Sequence, residues 1–248
     1  MPKASLFSLL LAVTGTASGC VSTPAPQTPL RFDHAWLVVT PGAPERAALE
    51  RAGLQVSDAI NRHDGQGTSS ITFEFENGYL ELIWPDASVA LAPGSERAME
   101  KVRERMAWRS SGRSPIGVAA ARTTQEALPL QGWTISPAWL RPGTAIEILT
   151  PRDDRVSPSL FVVPGYLAVS ADASRAVPRH PLGVRKVTSV RVTTPPGYVP
   201  IDAMRYYTSL GLVQTQPGPE WMLELTFDGG KQGAERDLRP ELPLVLRY

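Results

Sequence analysis

Cysteine is almost missing from this chain of 248 residues. There is one, Cys20, so no disulfide forms within the chain and no set of thiolates builds a structural zinc site. Histidine is nearly as scarce: His34, His63 and His180 are the three imidazoles any site must draw on. A surplus of charge is also lacking. The 25 Lys and Arg against 24 Asp and Glu give a net charge of +1, which offers no electrostatic reason for a nucleic acid or an acidic surface as partner. The glycines do not fall in the dinucleotide or phosphate-loop arrangements, and no GxSxG elbow occurs. The apolar run Leu6 to Val13 is too short to span a bilayer.

What is present reads as ordinary globular protein, with 42% hydrophobic and 20% charged residues. The length allows one large domain or two small ones. The 24 prolines argue for many loops and strand ends and against a helical bundle. Lys3, the apolar run and the small residues after it make residues 1–19 a secretory signal peptide. Ala17-Ser18-Gly19-Cys20 resembles the lipobox of bacterial lipoproteins, which implies cleavage and lipidation of Cys20; the alternative is a plain signal with an incidental cysteine. Val21 after the cysteine favours, by the same resemblance, an outer-membrane anchor facing the periplasm of a bacterial envelope. Residues 20–31, with three prolines, make an extended tether.

Residues 32–248 form the folded part. Residues 32–39 predict a buried strand, 44–52 a short helix stopping at Gly53, 70–76 an alternating strand, Asn77-Gly78 a hairpin turn and 79–84 the returning strand. Residues 93–108, with Ser95 as N-cap and Met99, Val102 and Met106 at helical spacing, predict the best helix. A fainter version follows: strands at 116–121, 145–149 and 160–163, with a short helix at 123–128. Residues 166–181 read as a linker. The order then returns as a strand at 184–194, a helix at 201–210 and strands at 221–227 and 242–248. Three units, about 32–84, 116–163 and 184–248, therefore predict an α+β fold. Its expected form is repeated βαβββ-type modules making a curved, mixed, mostly antiparallel sheet around a cleft, with helices outside. Which units pair stays open.

Phe32-Asp33-His34, Arg62-His63-Asp64-Gly65-Gln66-Gly67-Thr68 and Tyr79-Leu80-Glu81-Leu82-Ile83-Trp84 resemble the first module of glyoxalase-like proteins of the vicinal oxygen chelate superfamily. Ser114-Pro115-Ile116-Gly117-Val118 and His180-Pro181-Leu182-Gly183-Val184 are similar to later landmarks. The resemblance implies paired modules, a divalent metal at the cleft in the enzymes (Zn, Fe, Mn, Ni or Co here), and a small-molecule ligand offering oxygens. It puts His34 and Glu81 at metal-ligand positions, with His180 as a further candidate. Partner positions depart from it: Ser189 and Val245 in the third unit, and Gly117 or Ile116 with Phe161 or Val162 in the second.

Each group also has a plain reading. His34 is a core histidine or a cleft ligand. Glu81 lies in an apolar strand, so it faces a wet cleft or pairs with an arginine. His63 is a solvated loop residue or, with Glu81, a group that moves a proton. Gln66, Thr68, Trp84 and Arg113 are candidate substrate contacts, or respectively turn, core and solvated residues. His180 completes a metal site or caps a strand. The reading is a membrane-tethered glyoxalase-like protein that binds, and as an enzyme transforms, a small oxygen-bearing molecule. The alternatives are a binding protein that has lost its metal and a structural envelope lipoprotein.

Overall fold

The run Leu30-Arg31-Phe32-Asp33-His34-Ala35-Trp36-Leu37-Val38 is crowded with bulky side chains, suits a pleated surface, and forms β1 (Leu30–Val38). It lies mid-sheet in the computed structural model, which describes residues 28–93, 96–169 and 177–248. The signal segment, Cys20, most of the tether, Ser95 and the middle of the 166–181 linker lie outside the described residues. After β1 come α1 (Arg46–Arg51), β2 (Asn61–His63), β3 (Thr68–Phe75), β4 (Gly78–Pro85), α2 (Glu96–Met106) and α3 (Trp108–Ser111). Then follow β5 (Ile116–Arg122), β6 (Trp133–Ile135), β7 (Ile146–Ile148) and β8 (Ser159–Val163).

These eight strands make one mixed sheet, ordered β2-β3-β4-β1-β5-β8-β7-β6 and curled into a half-barrel. β1 runs parallel to β4, and antiparallel partners continue outward through β3 and β2. β5 likewise runs parallel to β8, with β7 and β6 antiparallel beyond it. The seam between the halves is the antiparallel pair β1–β5. Residues 32–84 therefore share a sheet with 116–163.

The last unit does not join them. β9 (Val187–Thr194), α4 (Asp202–Ser209), β10 (Gln214–Pro217), β11 (Met222–Phe227), β12 (Glu235–Asp237) and β13 (Leu244–Arg247) build a second sheet ordered β10-β9-β11-β13-β12. Its parallel pairs are β9–β10 and β11–β13, an order unlike either half of the first sheet. A third copy of the same unit was expected; instead β9 lies antiparallel to β11 rather than parallel to the unit's last strand, and β10 and β12, strands without an apolar stripe, add at the edges. Both sheets press alternate residues into one core: Leu37, Phe73, Leu82, Val118 and Leu160 from the first, and Val192, Leu225 and Leu246 from the second. Each such side chain contributes about 1.5–3 kcal/mol on burial.

Two local departures have clear causes. No helix forms at 123–128, where the chain bends; Thr123 and Thr124 favour other conformations and Pro129 follows. α4 serves there instead: Met204 and Tyr207 enter the core with Val118 and Leu160, and the Tyr207 hydroxyl donates to the Phe161 carbonyl at 2.7 Å. The hairpin also turns one residue earlier than expected. Phe75 pairs with Gly78, so Glu76-Asn77 is the turn, and the Asn77 amide clasps the backbone of Val187 through two bonds.

Candidate functional site

Strand residues alternate faces, so the partners of the core-facing set share the other side of the first sheet. There β1 contributes His34 and Trp36, β3 Ser70 and Thr72, and β4 Tyr79 and Glu81. The register sets His34 beside Tyr79, Trp36 beside Glu81 and Thr72 beside Glu81. His63, on the short β2, pairs with Thr68. The connection between them needs Gly65 and Gly67 at positive φ (83° and 67°), and a Cβ on Gly67 would strike Leu91 and Met99.

The result is a compact polar cluster. Glu81 lies between two imidazoles, with Oε2 3.8 Å from His34 Nε2 and Oε1 3.6 Å from His63 Nε2. Neither separation is a hydrogen bond. His63 Nδ1 meets Thr68 Oγ1 at 2.9 Å, and its Nε2 lies 3.4 Å from Ser70 Oγ. His34 Nδ1 meets Asp33 Oδ2 at 2.7 Å. The His34 ring stacks on Tyr79 with centroids 4.2 Å apart and takes the edge of Phe161 at 5.4 Å. Burial, helped by Glu81 and Asp33, holds the Tyr79 phenol well above its usual range, so it stays a neutral donor.

Asp33, His34 and Glu81 expose only 2%, 5% and 7% of their surface. Among the described residues no Arg or Lys pairs with either carboxylate. Two buried carboxylates without a fixed cation are costly. Besides the Val169 N–H on Asp33 Oδ1, the described residues set only the two imidazoles against these carboxylates, which leaves the cluster suited to a proton or a bound cation. Among the described residues no three or more His, Cys, Asp or Glu side chains are arranged to hold a metal ion as they stand.

α2 crosses this same face rather than lying outside. Its Arg105 is buried over the Trp36 ring, donates to the carbonyls of Ser114 and Ser157, and is brought down to about 10 by burial. Trp36 in turn fits only because residue 117 is glycine: a Cβ there would fall 2.0 Å from the indole.

The structure brings His34, His63, Glu81 and Thr68 together and leaves other candidates apart. Trp84 sits three residues from Glu81 on the same strand, hence on the opposite face, inside the shared core. Arg113 is engaged by Glu104 of α2. Gln66 contributes its backbone N–H to the His63 carbonyl at 2.9 Å. His180 is removed from the cluster: Nδ1 accepts from Gln55 N at 2.9 Å and Nε2 meets the Glu74 carbonyl at 2.9 Å. Both ring nitrogens are thus committed to backbone, and burial lowers its pKa, so it clasps two segments and has no lone pair for a metal. Ser189 and Val245 belong to the second sheet and do not face His34.

Asp33, Ser70 and Tyr79 were not among the expected residues. Ser70 and Tyr79 share the parity of Thr72 and Glu81 and were legible from it. Asp33 was not, because strand alternation puts it on the other face. A bulge between Phe32 and His34 undoes the alternation there.

Neither a protein-family model nor a curated protein matches the sequence. Among solved structures, the crystal structure of a hypothetical protein from Staphylococcus aureus aligns over 88% of this chain and 98% of its own, with a TM-score of 0.51 and 8% identity. At that identity the likeness is one of fold alone.

Proposed function

We propose that this is a glyoxalase-like protein of the vicinal oxygen chelate type, whose first half binds a small organic molecule through carbonyl, hydroxyl or carboxylate oxygens. The observation that carries the reading is Glu81, buried between two imidazoles with no arginine or lysine beside it among the described residues. The matching strand order about β1 and β5 supports a duplicated βαβββ module in which the second copy has lost its helix.

His34 Nε2 and the Glu81 carboxylate would hold a divalent metal. Donors about 2.0–2.2 Å from one ion lie up to roughly 4 Å apart, and 3.8 Å falls within that span. Two strong protein ligands make a weak site, with the remaining positions open to water or substrate. When bound, the metal supplies Lewis-acid polarisation of a substrate oxygen. His63, 3.6 Å from Glu81, takes or returns the proton, with Thr68 orienting its ring through Nδ1. The Tyr79 hydroxyl donates to a substrate oxygen.

A second reading, a binder that keeps the fold without the metal, is favoured by the other half of the sheet. Where β1 carries His34, β5 offers Gly117 and Ala119, and β8 offers Phe161. Metal analysis of protein purified without chelator separates the two. Stoichiometric divalent metal, lost in His34→Ala and Glu81→Ala, is the expected result. A metal-free wild type, with both variants unchanged in stability, leaves the binder. We propose further that Cys20 is acylated and anchors the chain to the bacterial outer membrane; among the described residues no helix is long and apolar enough to cross one. Palmitate labelling lost in Cys20→Ser tests that anchor.

A further inference from the structure

We propose that Asp33 is the positioning residue of this site: it keeps a proton on Nδ1 of His34 and so presents a proton-free Nε2 to Glu81. The proposal rests on the reading of His34 as a metal donor and deepens it.

Neighbouring strand residues ordinarily point apart. At Asp33 the register with β5 slips, from Phe32 opposite Ala120 to His34 opposite Ala119. The extra residue swings the Asp33 side chain to the same side as His34, within 2.7 Å of Nδ1. Its other oxygen, Oδ1, accepts the backbone N–H of Val169 at 3.1 Å. The Val169 N–H occupies Oδ1, which leaves Oδ2 of this nearly fully buried side chain for the ring; a carboxylate oxygen has no proton to give, so across the 2.7 Å contact Nδ1 is the donor. Tyr79 stacked on the ring and Phe161 at its edge keep the imidazole from turning over. Nε2 is left as the atom that faces Glu81.

Asp33→Asn tests this without changing the side chain's size. The Val169 N–H can bond only to the amide oxygen, which turns the amide NH₂ toward His34. Two donors cannot share that contact, so the ring proton moves to Nε2. The experiment records long-range proton–nitrogen correlations of the imidazoles in the ¹⁵N-labelled full chain at pH 8.5, and zinc affinity by competition with a chromogenic chelator.

The expected wild-type pattern for His34 is Nδ1 protonated and Nε2 bare. In Asp33→Asn it becomes the reverse, and zinc affinity falls by about 10–100-fold while the thermal transition stays cooperative. A protonated Nε2 in the wild type, or an unchanged pattern in Asp33→Asn, overturns the proposal. If the variant does not fold, the wild-type spectrum alone decides. A wild type that shows the expected pattern yet binds no zinc removes the metal reading and leaves the positioning role standing.

Discussion

The tripeptide Leu-Glu-Leu occurs mid-strand twice, as Leu80-Glu81-Leu82 on β4 and Leu223-Glu224-Leu225 on β11. Both glutamates are buried, at 7% and 5% exposure, between leucines that enter the same core. Their company differs. Glu224 is held by Arg191 Nη1 at 2.7 Å and Arg247 Nε at 2.7 Å, two permanent cations within hydrogen-bond reach. Glu81 faces two imidazoles at 3.8 and 3.6 Å, neither within hydrogen-bond distance and neither a permanent cation. One carboxylate is saturated and serves as a joint between strands. The other, among the described residues, keeps unused acceptor capacity opposite two imidazoles, a side chain that also binds metals. Local sequence cannot separate them; the residue across the sheet does, Arg191 opposite Glu224 and Thr72 opposite Glu81.

The comparison breaks most visibly at the two glutamates themselves. Glu81→Gln is expected to weaken zinc binding by at least ~100-fold, since a neutral amide is a poor ligand, while the unfolding midpoint holds or rises because a buried carboxylate with no fixed cation among the described residues is removed. Equal zinc affinity in the wild type and the variant would end the distinction between the two glutamates. Glu224→Gln should do the opposite. Zinc affinity stays, and denaturant titration shows a loss of about 1–2 kcal/mol, kept modest because Arg191 and Arg247 remain partly solvated. A sharper form of the comparison makes Glu81 resemble Glu224. Thr72→Arg sets a guanidinium at the position Arg191 occupies opposite Glu224. Pairing should lower zinc affinity about tenfold, with an overpacking cost of about 1–3 kcal/mol read from the same titration.

Most of the first sheet was legible because its strands carry their pattern openly. Ile71, Phe73 and Phe75 alternate with Ser70, Thr72 and Glu74, and that parity alone assigns Glu81 and Thr72 to one face. The same parity excludes Trp84, three residues from Glu81, from any site that includes it. The meeting of His34, His63 and Glu81 was legible from an imidazole on an apolar strand, a glycine-flanked histidine and a carboxylate among leucines. Other features depended on partners far along the chain. β10 and β12 have no apolar stripe and exist because β9 and β13 offer edges to pair with. Asp33 depended on a bulge, which an alternating pattern hides. The role of His180 was set by Gln55 and Glu74, 125 and 106 residues away.

His180 also gives the smallest of the expected effects and the clearest sign. Its ring is neutral where it lies, accepting from Gln55 and donating to Glu74, and burial lowers its pKa from the ordinary 6.5. The unfolded chain therefore binds a proton more readily than the folded one. Stability is fully present above about pH 6.5 and is lost as pH falls through the depressed folded value. His180→Gln offers an acceptor and a donor of similar reach but does not titrate. Against the wild type it should cost about 1 kcal/mol at pH 8 through imperfect geometry, and the gap should narrow as the pH is lowered below 6.5. Denaturant midpoints measured between pH 8 and 5 check it. Parallel curves for the two proteins would mean that His180 keeps its ordinary affinity for protons inside the fold, and that the clasp between Gln55 and Glu74 tolerates a charged ring.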